Sequence, residues 1–152
     1  MSLRLVANWK LNGSREFNNK WVHEFLKNFN SHNFSSIGIA PTSLYIDHLQ
    51  VVLGDHAVKI GSQNIDIGEA GARTGEISAS MIKDLGCTFC IIGHSERRML
   101  FYETNQQIGQ KLIQANNNSV TPILCIGESE EENQHNITFN VLETQIIEAL
   151  NH

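Results

Sequence analysis

Short apolar runs alternate along this chain with longer stretches whose apolar residues fall at helical spacing. The runs predict buried strands and the stretches predict helices. Leu3 to Asn8 is the first strand, and Gly13-Ser14 opens a helix whose apolar set is Phe17, Trp21, Val22, Phe25, Leu26 and Phe29. Ser35 to Ala40 is the second strand, closed by Pro41. Thr42 or Ser43 can cap the next helix, which carries Leu44, Ile46, Leu49, Val52 and Leu53. Ala57 to Gly61 is the third strand.

A loop from Ile65 to Glu76 follows, with three glycines and neither rhythm. Loops of that length without structure of their own are often functional. Ser78 caps a short helix that Gly86 ends, and Cys87 begins the fourth strand. Thr104-Asn105-Gln106-Gln107 is a capping box before a helix carrying Ile108, Leu112, Ile113 and Ala115. Val120 to Ile126 is the fifth strand, with Pro122 near its start. The acidic Glu130 to Glu132 reads as a solvated face. The last helix carries Ile137, Val141, Leu142, Ile146, Ile147 and Leu150.

This is strand–helix repeated five times with no linker or composition break, so residues 1–152 form one expected domain. Parallel strands joined by helical crossovers fit the spacing. The pattern alone predicts a five-stranded, doubly wound, flavodoxin-like sheet.

Composition narrows the class. Apolar residues make up 41% of the 152 and charged ones 18%, which suits a globular chain. A formal charge of −5 argues against nucleic acid or an anionic membrane as main partner. No run is long enough to cross a bilayer, and no secretory or transit segment is visible, so a cytoplasmic location is expected. Cys87 and Cys90 form a C-x-x-C, but three apart on a strand they would face opposite sides of the sheet. Three buried, reduced thiols are expected instead. His23, His32, His48, His56, His135 and His152 lack ligand spacing, so no metal is expected.

The candidate chemistry lies in Cys87 to Arg98, C-T-F-C-I-I-G-H-S-E-R-R. The strand stops at Gly93 and delivers His94, Ser95, Glu96, Arg97 and Arg98 in one turn. In parallel α/β folds, ligands and catalysis gather at that end of the strands. His94 is therefore a candidate catalytic group rather than a satisfied core histidine. Lys10, two residues past Asn8 and so expected on the same strand face, is a candidate for holding an anion. Arg98 is read equally as a site residue or as half of a helix-surface charge pair.

Three stretches resemble the triosephosphate isomerase family: N-W-K-L-N-G at Asn8 to Gly13, T-G-E-I-S at Thr74 to Ser78, and I-I-G-H-S-E-R-R at Ile91 to Arg98. Gln63-Asn64, Lys83 to Cys87, Glu103 and Cys125 to Glu128 support them, and the resemblance runs in register from residue 3 to about 150. It implies a TIM (β/α)8 barrel, of which this chain carries about five parallel β/α units, in place of the doubly wound sheet. It also implies an aldose–ketose isomerase of glycolysis and gluconeogenesis. Such an enzyme interconverts dihydroxyacetone phosphate and glyceraldehyde 3-phosphate by proton transfer through an enediolate, without cofactor or metal.

By that resemblance His94 is the catalytic electrophile, donating to oxygen as charge develops there. Lys10 holds the substrate's anionic groups, and Asn8 helps to position it. Ser95 and Glu96 belong to the active-site network. Thr74, Gly75, Glu76 and Arg97 make the contact within a homodimer. The family's general base is a glutamate on the sixth strand, and its phosphate-binding glycines follow the seventh and eighth. None of those motifs occurs here, and Glu96, Glu103 and Glu128 do not replace the base. The chain alone is therefore expected to be inactive. Two other readings stay open: a non-catalytic half barrel that acts by assembling, and a flavodoxin-like phosphate-binding module. The second would need a glycine loop or acidic cluster after the first strand, and N-W-K-L-N-G supplies neither.

Overall fold

The structure, a computed structural model, describes residues 5–28, 37–54 and 56–151. Its elements alternate as the apolar rhythms predict. Strand β1 (Leu5–Asn8) leads to α1 (Arg15–Asn28), and β2 (Ile37–Ala40) to α2 (Ile46–Leu53). Strand β3 (Lys59–Ser62) precedes α3 (Ala79–Asp84), and β4 (Phe89–Ile92) precedes α4 (Ser95–Leu100) and α5 (Asn105–Asn117). Strand β5 (Thr121–Leu124) is followed by α6 (Glu130–Gln134) and α7 (Thr138–Leu150).

All five strands pair in parallel, in the order β1-β2-β3-β4-β5. That overturns the flavodoxin-like reading, in which the second strand would lie outside the first. A sheet whose every crossover steps the same way carries its helices on one face and curls toward the other, giving part of a (β/α)8 barrel. Strand–helix alternation is common to both folds, so the local pattern could not separate them.

The two faces can be followed along β4. Cys90 and Ile92 join the core shared with Leu49, Ile82 and Ile108 of the helices. Phe89 and Ile91 point the other way, into a small inner cluster with Ala40. Gly61 makes room for that cluster, since a Cβ there would lie 2.4 Å from the ring of Phe89, its register partner.

Several local expectations shift. Neither Thr42 nor Ser43 caps α2 through its side chain; Ser43–Tyr45 forms a 3-10 turn, with the Tyr45 N–H donating to Thr42 O at 3.0 Å. Leu44 leaves the core at 86% exposed. Phe17 is also exposed, its ring set edge-on against Trp9 at 5.7 Å between centroids. Leu3, Phe29, Ser35, His32 and His152 lie outside the described residues. On α7 only Ala149 is buried, while Ile146, Ile147 and Leu150 on the helix and Ile137 just before it are exposed.

Cys87 and Cys90 share the helix-side core, because Cys87 precedes β4 and strand alternation does not reach it. Burial pushes their thiols up to about 11 and about 12, so neither is a ready thiolate. Cys125 is only half-buried, against the expectation of three buried thiols. Glu130 to Glu132 is also more than a solvated face. Ser129 and Glu132 form a capping box that starts α6.

Candidate active site

A cavity of about 670 Å³ opens where the strands end in their first turns, and Asn8, Lys10, Gln63, His94, Glu96 and Arg97 are among the residues lining it. Asn8 ends β1, Gln63 follows β3, and His94 caps α4 just past β4. Residues separated by most of the chain are thus gathered at the carboxyl ends of parallel strands.

Lys10 does not share a strand face with Asn8, since β1 ends at Asn8 and Lys10 adopts a left-handed φ of 52°. For a non-glycine residue that conformation needs support. Asn8 Oδ1 accepts the Lys10 N–H at 3.0 Å, and Gln63 Nε2 donates to Lys10 O at 3.0 Å and to Ala40 O at 2.8 Å. Held this way, the Lys10 ammonium donates to Glu96 Oε1 at 2.8 Å. That bond, reinforced by the charge of Lys10, holds the Glu96 carboxyl below its ordinary range.

His94 sits at φ −54° and ψ 144°, and its Nδ1 accepts the Glu96 N–H at 3.2 Å. Glu96 Oε2 is also near, 3.4 Å from Nδ1. One nitrogen cannot accept from the backbone and donate to the carboxylate together. In the neutral ring the backbone bond makes Nδ1 the acceptor and leaves Nε2 as the donor.

The remaining candidates divide. Gly75, Glu76 and Arg97 line the cavity, while Ser95 and Thr74 do not and are exposed. The loop bearing Thr74 is closed on itself. Arg73 pairs with the buried Asp66 through two nitrogens, one bond measuring 2.9 Å, and Asp66 N–H donates to Ile77 O at 2.8 Å. The guanidinium holds the Asp66 carboxyl below its usual value.

Lys111 is the group that pattern reading missed. Only 4% exposed on α5, it donates to Glu103 Oε1 and, at 2.7 Å, to Asn64 Oδ1. Glu103 also accepts from Arg97 Nε at 2.5 Å, so Lys111 ties two cavity walls together from behind. Burial lowers its pKa, and the Glu103 carboxylate opposes that shift. A signal existed: Ile108, Lys111, Leu112 and Ala115 share one helical stripe, and a lysine there requires a buried partner. Arg98 proves to be no surface charge pair. Its guanidinium reaches Gly93 O at 2.8 Å, Asn105 Oδ1 at 2.5 Å and Cys125 O at 3.2 Å.

Among the described residues no group of three or more His, Cys, Asp or Glu side chains could hold a metal ion, and no helix is long and apolar enough to cross a membrane. Sequential parallel strands with polar groups converging at their carboxyl ends define a β/α-barrel protein with a strand-end site. The triosephosphate isomerase family model matches residues 4–152. The chain is 38% identical over 142 residues to the triosephosphate isomerase of Nitrosococcus oceani, covering 93% of this chain and 57% of that protein. It is 41% identical to the one of Ruthia magnifica, with the same coverage, and 40% to the one of Salmonella newport, covering 93% and 56%. It thus spans little more than half the length of these relatives. The chain belongs to the triosephosphate isomerase family.

Proposed function

We propose that this chain carries the electrophile-bearing part of a triosephosphate isomerase site. The substrate pair is dihydroxyacetone phosphate and glyceraldehyde 3-phosphate, interconverted through an enediolate in cytoplasmic glycolysis and gluconeogenesis. The observation that carries the reading is the Glu96 N–H donated to His94 Nδ1, which leaves Nε2 as the neutral ring's donor on the cavity wall. A donor preset where charge develops needs no reorganisation during reaction. Lys10, its backbone locked by Asn8 and Gln63, offers the cation for the substrate's anionic groups. Asn8 helps to position the substrate, and Glu96 with Ser95 completes the network around His94.

The chain alone is read as inactive. Of the two carboxylates on the cavity wall, Glu96 is engaged by Lys10 and held below its ordinary range, which makes it a poor proton acceptor. The 152 residues are read as a single domain. Thr74, Gly75, Glu76 and Arg97 are read as a contact within a homodimer of the full-length form. A steady-state assay tests this on the chain alone and after fusion to the remaining portion of a bacterial relative. No turnover is expected from the chain alone. Turnover is expected from the fusion, falling about 10²- to 10³-fold in His94→Gln. A folded fusion without turnover, or a His94→Gln fusion as fast as its parent, would overturn the reading. That outcome would favour a non-catalytic half barrel acting by association, for which the exposed Ile146, Ile147 and Leu150 of α7 speak.

A further inference from the structure

We infer that Arg98 is the positioning residue for His94, its side chain fixing the peptide plane that leads into the imidazole's Cα. The Gly93 carbonyl precedes His94 and accepts from Arg98 Nε at 2.8 Å; the His94 carbonyl follows it and accepts the backbone N–H groups of Arg97 at 2.8 Å and Arg98 at 3.1 Å, bonds of the helix's first turn that do not depend on the side chain. The Arg98 side chain therefore holds the peptide plane that leads into His94, while the first turn of α4 holds the one that leads out.

The grip has a rigid anchor. Arg98 Nη1 donates to Asn105 Oδ1 at 2.5 Å and Nη2 to Cys125 O at 3.2 Å, at the starts of α5 and of the segment after β5. Asn105 Nδ2 donates in turn to Glu148 Oε2 on α7 at 2.8 Å. A planar guanidinium donating in three directions transmits one fixed geometry, which a lysine's single ammonium on a flexible stem cannot copy. Gly93 lies at φ +73°, and a Cβ there would come within 3.2 Å of Arg98 Nη2 and 3.0 Å of Ile108. The turn is therefore shaped to bring its carbonyl against this guanidinium.

The consequence is chemical as well as structural. With both planes held, the Glu96 N–H meets His94 Nδ1 at 3.2 Å and selects the tautomer protonated at Nε2. If the plane before His94 tilts, that bond weakens and both tautomers populate. The importance of that tautomer for turnover rests on the isomerase reading, but the tautomer itself is measured without substrate.

The test is nitrogen-15 NMR of the histidine rings in the 152-residue chain at about pH 8, where an ordinary imidazole is neutral. His94 is assigned by its loss in His94→Gln. In the parent, His94 is expected to show one protonated and one bare nitrogen. In Arg98→Met and in Arg98→Lys the two signals are expected to move toward each other. Exchange of the Glu96 amide is expected to quicken by up to about tenfold, as loss of one net hydrogen bond allows. A folded Arg98→Met with unchanged His94 signals and Glu96 exchange would overturn the proposal. Should Arg98→Met fail to fold, Asn105→Ala decides, because it frees Nη1 and the Glu148 carboxylate but leaves the bonds to Gly93 and Cys125 in place. A smaller shift in the same direction is expected there, and none would be fatal to the idea. An inactive fusion whose His94 tautomer still follows Arg98 would sink the isomerase reading and leave this inference intact.

Discussion

On the helix-facing side of the sheet, Ile39, Leu49, Ile82, Ile92 and Ile108 are all fully buried, in one cluster running from α1 to α7. On the inner side of the same strands the buried cluster among the described residues is Ala40, Phe89 and Ile91, with Val6, Ile123 and Cys125 half-covered around it. The difference shows how a part of a barrel holds together. Each β/α unit closes its outer layer against its own helix and the next, so five units suffice there. The inner layer is filled by side chains from all around a closed barrel, and here few neighbours reach it.

The strongest test of that contrast is on the outer side. Leu49→Ala removes a fully buried side chain from a well-packed layer and should cost about 2–5 kcal/mol in urea denaturation, enough to threaten a marginal fold. A loss under about 1 kcal/mol would mean that the outer layer is loosely packed. On the inner side, Gly61→Ala drives a Cβ to 2.4 Å from the Phe89 ring and should cost about 1–3 kcal/mol. Phe89→Leu in the same chain should return most of that loss. Independent, additive effects would show that the two residues do not share the inner layer.

The smallest expected effect lies outside both layers, in the Asp66–Arg73 pair. The folded Asp66 carboxyl titrates below the ordinary value of 3.8, so its contribution is complete above that pH and fades as pH falls toward the lower folded value. The stability gap between the parent and Asp66→Asn should therefore be constant from pH 5 to 8, by roughly the same linkage, and close below about 3.8. A gap that instead closes between pH 5 and 8 would assign the effect to another group.

Much of the fold was legible because its signals are local. Ser78 accepts the Met81 N–H as expected, and Thr104 with Gln107 closes the expected capping box. Gly86 and Gly93 take the left-handed conformations that end a helix and turn a strand. His94, Lys10, Asn8 and Glu96 were legible as a group only through family motifs, and the cavity brings them together. Phe17 and Leu44 were misassigned because apolar spacing reports a helix's stripe and not whether a neighbour covers it. The same limit hid the exposure of α7.

Cys87 to Arg98 was readable alone as a strand, a glycine turn and a helix start, since each depends on groups within a few residues. Strand order could not be read there, because the direction of each crossover is set by how whole units pack. Nor could the partners of the charged groups. Lys10 meets Glu96 across 86 positions and Lys111 meets Asn64 across 47. Buried or crowded charges must find partners or leave the fold, but the sequence names only the need. Only the tertiary structure decided which carboxylate, amide or carbonyl would meet each one, and with that which nitrogen of His94 is left to donate.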